Sequence, residues 1–147
     1  MSESEKYFIE EVVIKQQKYH SSKAGKFKTK ANYLKLITIV LSALIPFSIV
    51  VFKGYKELSD IIIATLGCFL FIFEGVKSQF KYEENWRLYR DTSERLKNEL
   101  RTYKVHAAPY STDERFNTLV NKVNFILTKT VNDWLLTNKE SKNKEAK

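Results

Sequence analysis

The chain has 147 residues, enough for one domain, and its 25 Lys plus Arg against 17 Asp plus Glu leave a formal charge of +8. Such a balance calls for an anionic partner, either nucleic acid or the anionic face of a membrane. One cysteine, Cys68, excludes a disulfide framework and a Cys-based metal cluster; the two histidines, His20 and His106, lie far apart; and four glycines with two prolines favour helices over a turn-rich β fold.

The chain opens on polar, charged sequence, and no short apolar region precedes a small-residue cleavage site, so no signal peptide is expected. "KYFIEEVVIKQQKYH" (Lys6 to His20) reads as an amphipathic helix with Phe8, Ile9, Val12 and Val13 on one side. "SSKAGKFKTKANY" follows as a basic hinge around Gly25, and residues 1–30 are expected to be a cytoplasmic helix and hinge. From Leu36 to Phe52 there is no charge, and this run covers roughly 25 Å as a helix. Extended back to Tyr33, with Lys35 snorkelling, it reaches the ~30 Å of a hydrocarbon core. A polar turn, "KGYKELS", leads to a second apolar run from Leu58 to Val76, with Asp60 near its start and Glu74 near its end. The spans are therefore placed at 33–52 and 58–76, within a transmembrane hairpin over 31–76. A soluble chain this small would struggle to cover two such helices. Lysines flank the apolar runs on the terminal sides, and Lys53 and Lys56 in the turn are offset by Glu57 and Asp60. Both termini are then expected in the cytoplasm.

The pattern continues past the second span without Gly or Pro. Tyr82, Trp86, Tyr89, Ser93, Leu96, Leu100 and Tyr103 alternate spacings of four and three, a coiled-coil seam. Arg90 and Glu94 are among several oppositely charged pairs at i,i+4. One rod from Leu58 to Tyr103, roughly 70 Å long, is expected. Pro109 ends it, Ser111 and Glu114 form a capping box, and the next helix runs to about Thr137. Its seam is Phe116, Val120, Val123, Leu127, Thr130 and Trp134. Residues 77–137 thus read as a cytoplasmic helical hairpin, and the charged tail 138–147 as disordered. The fold class is an all-α membrane protein, with the second span running on into a long cytoplasmic helix and a packed C-terminal helix.

No phosphate loop, nucleophile elbow or paired-His motif is present, so the chain is not expected to be an enzyme or to hold a cofactor or metal. Nucleic-acid binding is disfavoured, because the aromatics stand at seam positions and the lysines flank apolar runs, where they meet lipid phosphates. On the second span Asp60, Ala64, Gly67, Phe71 and Glu74 share one face, the two acids about 21 Å apart along the axis. In one reading both acids sit among headgroups. In the other an oligomer turns the stripe inward, with a carboxylate ring at each mouth of an apolar pore. Pro46 in the first span is either a tolerated membrane proline or a gating hinge.

A two-span hairpin followed by "WRLYRDTSERLKNELRTY", a Pro-Tyr break and a helix starting "DERF" resembles the SLATT family, bacterial two-transmembrane proteins associated with nucleotide-signalling and other conflict systems. The matching residues are Trp86, Tyr89, Arg90, Glu94, Leu96, Lys97, Glu99, Tyr103, Tyr110 and Phe116, and the resemblance covers roughly residues 30 to 137. It implies a membrane effector of the bacterial plasma membrane that oligomerises into a pore, triggered by a separate nucleotide-signalling sensor. It offers no catalytic residues. Trp86, Tyr89, Arg90, Glu94, Leu96, Leu100 and Tyr103 become assembly or coupling candidates. The alternative is a membrane-anchored adaptor whose cytoplasmic helices recruit a soluble sensor or enzyme.

Overall fold

A computed structural model describes residues 2–145, with side chains through Asn138. All regular structure among them is helical. Helix α1 (Glu3–Tyr7) passes into a π-helical stretch (Phe8–Ile14) and then into α2 (Lys15–Val51); α3 (Lys56–Phe80), α4 (Tyr82–Lys104) and α5 (Arg115–Glu145) follow. The chain divides into two compact units. Unit 1 comprises residues 1–27 and 83–147, and unit 2 comprises residues 28–82.

Unit 1 is a bundle of the N-terminal helical stretch, α4 and α5. A capping box starts it: the Glu5 N–H donates to Ser2 Oγ at 3.2 Å, and the Ser2 N–H donates to Glu5 Oε2 at 2.8 Å. The π-helical stretch carries Ile9 and Val13 into the core, where they meet Leu96, Tyr103, Tyr110, Leu119, Val123 and Ile126. Phe8 packs edge-on against Phe116 at 5.8 Å, and Tyr103 against Tyr110 at 5.5 Å. Polar pairs complete the interior. Ser93 Oγ donates to the Gln17 carbonyl and accepts from Gln17 Nε2, both at 3.2 Å, and the Thr92 and Thr130 hydroxyls meet at 2.8 Å. Each interior hydroxyl is thereby satisfied, which a buried polar group requires.

Unit 2 is a helical hairpin. On α2 the covered face is Leu34, Ile37, Thr38, Leu41, Ile45 and Ser48, with Phe52 just past its end; on α3 it is Ser59, Ile62, Ile63, Leu66, Leu70, Phe73 and Lys77. Both sets recur at threes and fours, the spacing of one helix face. The most buried residues of the pair, Ser48 and Ser59, flank the turn. Small hydroxyl residues there allow close helix approach. The Ser48 hydroxyl is itself satisfied by the Leu44 and Ile45 carbonyls at 3.0 and 2.8 Å.

Several expectations need correction. The basic segment around Gly25 is no hinge, because α2 runs unbroken from Lys15 to Val51. A lone Gly costs a helix only about 1 kcal/mol, and the surrounding lysines and alanines are good helix formers. The N-terminal segment is not a separate element before the hairpin but part of the bundle in unit 1. The rod from Leu58 to Tyr103 is interrupted: Lys81 adopts the left-handed conformation (φ 42°, ψ 46°), ending α3 with its N–H on the Lys77 carbonyl at 3.2 Å. The Phe80 and Tyr82 rings stack across this break at 5.5 Å. Ser111 to Glu114 form a turn rather than a capping box, and α5 begins at Arg115. Helix α4 ends as a Schellman motif, with His106 left-handed (φ 53°) and the N–H groups of His106 and Ala107 on the Tyr103 and Thr102 carbonyls. The tail expected to be disordered from 138 continues as helix to Glu145; Ala146 and Lys147 lie outside the described residues.

Candidate functional site

The two apolar helices come first. Each contains an 18-residue window, of mean hydropathy 2.4 in Glu3–Val51 and 1.8 in Lys56–Lys104, and both are long and apolar enough to cross a membrane. Only 6% of each window is buried within the chain. Ile39, Phe47, Val50, Ile61, Phe69, Phe71 and Ile72 all stand exposed, an apolar surface far beyond isolated surface residues.

The acidic stripe on α3 lies about 100° around the helix from the face that packs on α2. Asp60, Ala64, Phe71 and Glu74 are exposed, Phe71 at 82%, and Gly67 is half-buried at the edge of the contact. Apart from Gly67, the stripe stands open. Glu74 is not a bare charge, since Lys77 Nζ donates to its Oε1 at 2.8 Å, with half of the Glu74 side chain exposed. Helix α2 continues on both sides of Pro46, which has no N–H for the Ser42 carbonyl. Around it the Ser42 hydroxyl donates to the Thr38 carbonyl at 2.8 Å. Cys68 is exposed.

At the end of unit 2 remote from its turn, aromatic and basic side chains alternate. Lys30 Nζ stands 5.8 Å from the centre of the Tyr82 ring, a cation–π contact, and Tyr33 and Phe80 are exposed nearby in sequence. Such a mixture suits a headgroup layer.

The candidates on α4 separate into two groups. Leu96 and Tyr103 are buried in the core of unit 1, with Leu100 packed against it, so these side chains are used inside the chain's own bundle. Trp86 and Tyr89 are half-buried. Arg90 and Glu94 form an exposed ion pair at 2.7 Å, worth a few tenths of a kcal/mol. The face that packs inward differs in part from the expected seam: Asn85 and Thr92 are buried beside the seam residues Ser93, Leu96 and Tyr103, and on α5 Leu119 and Ile126 are buried beside the seam residues Val123 and Thr130.

Three polar contacts tie the ends of the bundle together. The Tyr103 hydroxyl donates to Glu5 Oε1 at 3.1 Å. The Tyr110 hydroxyl donates to Glu99 Oε2 at 2.5 Å, and Lys122 reaches the same carboxylate at 3.4 Å. Burial and the Glu99 carboxylate push the Tyr110 phenol well above its ordinary range. The Ser2 backbone N–H holds the Glu5 carboxyl below its usual value. Sequence reasoning gave His20 no role, yet it is buried, and burial pushes its imidazole below the ordinary histidine value. Its position next to Tyr19 on an amphipathic helix was the available signal.

Neither a curated protein nor a solved structure matches this chain. One family matches over residues 15–117, from the start of α2 through the beginning of α5, and so spans both apolar helices and all of α4. The chain therefore belongs to the family of proteins of unknown function described as DUF4231.

Proposed function

We propose that the chain is an integral membrane effector whose hairpin assembles with further copies into an ion-conducting pore. The observation that carries the reading is the stripe Asp60–Ala64–Gly67–Phe71–Glu74, turned away from the face that packs on α2, on helices whose apolar stretches are only 6% buried within their own chain. Lipid satisfies apolar surface but not a carboxylate; Lys77 pairs Glu74, and Asp60 on the same face has no ion pair among the described residues. Two spans enclose no channel, so the stripe needs neighbouring copies before it can line one. Rings of Asp60 and Glu74 would favour cations, and the apolar stretch between them would gate by dewetting. The resemblance to SLATT proteins supports a bacterial plasma-membrane setting in an anti-phage or conflict system. Both termini would then be cytoplasmic, with the lysine flanks on the anionic leaflet and a separate nucleotide-signalling sensor as trigger.

Native mass spectrometry of protein released from lipid nanodiscs tests the assembly. A discrete tetramer or larger ring is the expected result; a monomer or a four-span dimer counts against a pore. For such a ring, Asp60→Asn and Glu74→Gln should each lower the cation-to-anion permeability ratio in liposomes several-fold. The Glu74 change also releases Lys77 and adds a net positive charge at its mouth. Wild-type selectivity in both variants would remove the stripe from the pore.

The second reading is a membrane-anchored adaptor. It is favoured by the apolar side chains that α5 leaves open on unit 1, namely Phe125, Leu135 and Leu136. A soluble partner would cover them, and the hairpin would serve as an anchor.

A further inference from the structure

We propose that α5 is a pairing helix, whose outward face lies parallel and in register against the same face of a second copy of this chain. The pairing belongs to unit 1, so it stands whether the hairpin conducts or only anchors. A simple dimer satisfies it, and so does a ring built of pairs.

Charge carries the first step. A helix packed on a bundle turns charged side chains to water on the face opposite its core. Helix α4 follows this rule: each of its exposed residues except Asn98 is charged. Helix α5 does not. From Arg115 to Asn138, its one exposed charge among the described side chains is Lys129. The core line of α5 includes Ile126 and Thr130, and Thr128 stands roughly 160° around the axis from both. On that outward side Asn121, Thr128 and Leu135 recur every seven residues. Asn124 and Val131 run along one flank, Phe125 and Asn132 along the other, and all of these side chains are exposed. Steps of three and four link them into a coiled-coil seam about 21 Å long.

The composition of the seam selects the partner. A chain with a formal charge of +8 repels its own copies, and a face without charge is where two copies approach at least cost. A charged partner finds no counter-charge there. Lipid suits Phe125, Val131 and Leu135 but not the three amides, which hydrocarbon leaves unsatisfied. An asparagine side chain both donates and accepts, so the same asparagine of a copy satisfies it, and an Asn on a seam fixes register in this way. Parallel pairing sets Asn121 on the copy's Asn121 and Leu135 on the copy's Leu135. Antiparallel pairing about Thr128 would set the Asn121 amide against Leu135 and bury it without a partner. The open apolar side chains that favour an adaptor are covered by a copy equally well. Self-pairing also accounts for the amides between them, which a merely apolar contact does not need.

The test is cysteine cross-linking of the full chain in liposomes. The chain's one cysteine is first removed as Cys68→Ser. In that background Asn121→Cys, Thr128→Cys and Leu135→Cys are oxidised with copper phenanthroline. Glu84→Cys and Arg101→Cys, on the charged side of α4, control for chance collision. All five positions are exposed, so the core of the bundle is untouched. The expected result is a disulfide-linked dimer from each α5 variant, formed at least about tenfold faster than from either control. Adding Thr128→Glu and Leu135→Glu to Asn121→Cys opposes like charges across the seam and should slow its cross-link about tenfold, with the thermal transition of unit 1 retained. The proposal is overturned by α5 cross-links no faster than the α4 controls, which would leave the face to a different protein, as the adaptor reading has it. It is overturned as well if Thr128→Cys links while Asn121→Cys does not, the signature of antiparallel pairing. An Asn121→Cys link undiminished by the two glutamates would also overturn it.

Discussion

His20 makes unit 1 sensitive to mild acid. Its folded-state pKa lies below the unfolded value of about 6.5, and desolvation is the cause. Above pH 6.5 the imidazole is neutral in both states and the fold keeps its full stability. As the pH falls below 6.5 the unfolded chain takes up a proton that the folded chain refuses, so stability is lost until the lowered folded pKa is passed. Tyr19 from its own helix and Tyr89 from α4 face it, and burial raises the Tyr89 phenol further above this window. The melting temperature of unit 1 should therefore fall between about pH 6.5 and pH 5, above the range where carboxylates titrate. His20→Phe should flatten that slope. A slope of wild-type steepness in His20→Phe would place the acid sensitivity elsewhere.

At the scale of elements, the continuity of α2 through the lysine-rich segment is the departure with the clearest energetic consequence. Gly25 is interior to the helix, and a Cβ placed there meets nothing within 4 Å. Gly25→Ala should thus stabilise the protein by about 0.5–1 kcal/mol, because it removes backbone freedom from the unfolded chain without a clash. Gly25→Pro should cost about 3 kcal/mol. Were the segment a flexible joint, both changes would be close to neutral in thermal unfolding. The two apolar runs were legible because absence of charge over a span length is a strong signal, and the hairpin follows from the short polar turn between them. The bundle was only half legible. Ile9, Val13, Ser93, Leu96, Val123 and Thr130 fall on expected faces, but the inward face of α4 also uses Asn85 and Thr92, which an apolar pattern does not mark. The break at Lys81 had no Gly or Pro to announce it. A non-Gly residue in that conformation costs roughly 1–2 kcal/mol, and tertiary packing outweighs such a cost without leaving a local trace.

At the scale of the whole molecule, the division into two units separates the pore reading from the adaptor reading. The core of unit 1 is complete in itself: Ile9 and Val13 from the N-terminal stretch, Leu96 and Tyr103 from α4, and Leu119, Val123 and Ile126 from α5 all lie outside residues 28–82. Exchanging residues 28–82 for an unrelated two-span hairpin should leave the bundle folded, provided the new first helix continues α2 in phase through Phe27. Retention of the thermal transition of unit 1, and of the ring contacts of His20 read by its carbon-13 signal, checks that condition. With the bundle intact, the pore reading expects complete loss of ion flux in liposomes and of any toxicity on expression, because the Asp60–Glu74 stripe has gone with the hairpin. The adaptor reading expects activity to survive the exchange, because the recruiting face on α5, with Phe125, Leu135 and Leu136, is untouched. Point substitutions distinguish them from the other side. Neutralising Asp60 and Glu74 in the native hairpin alters conductance only if those side chains face water, whereas replacing Phe125 and Leu136 by serine disrupts function only if a partner covers them. A hairpin that can be exchanged, together with an α5 face that cannot be altered, would make this chain an anchor with a helical receptor, and a hairpin that cannot be exchanged would make the hairpin the effector itself.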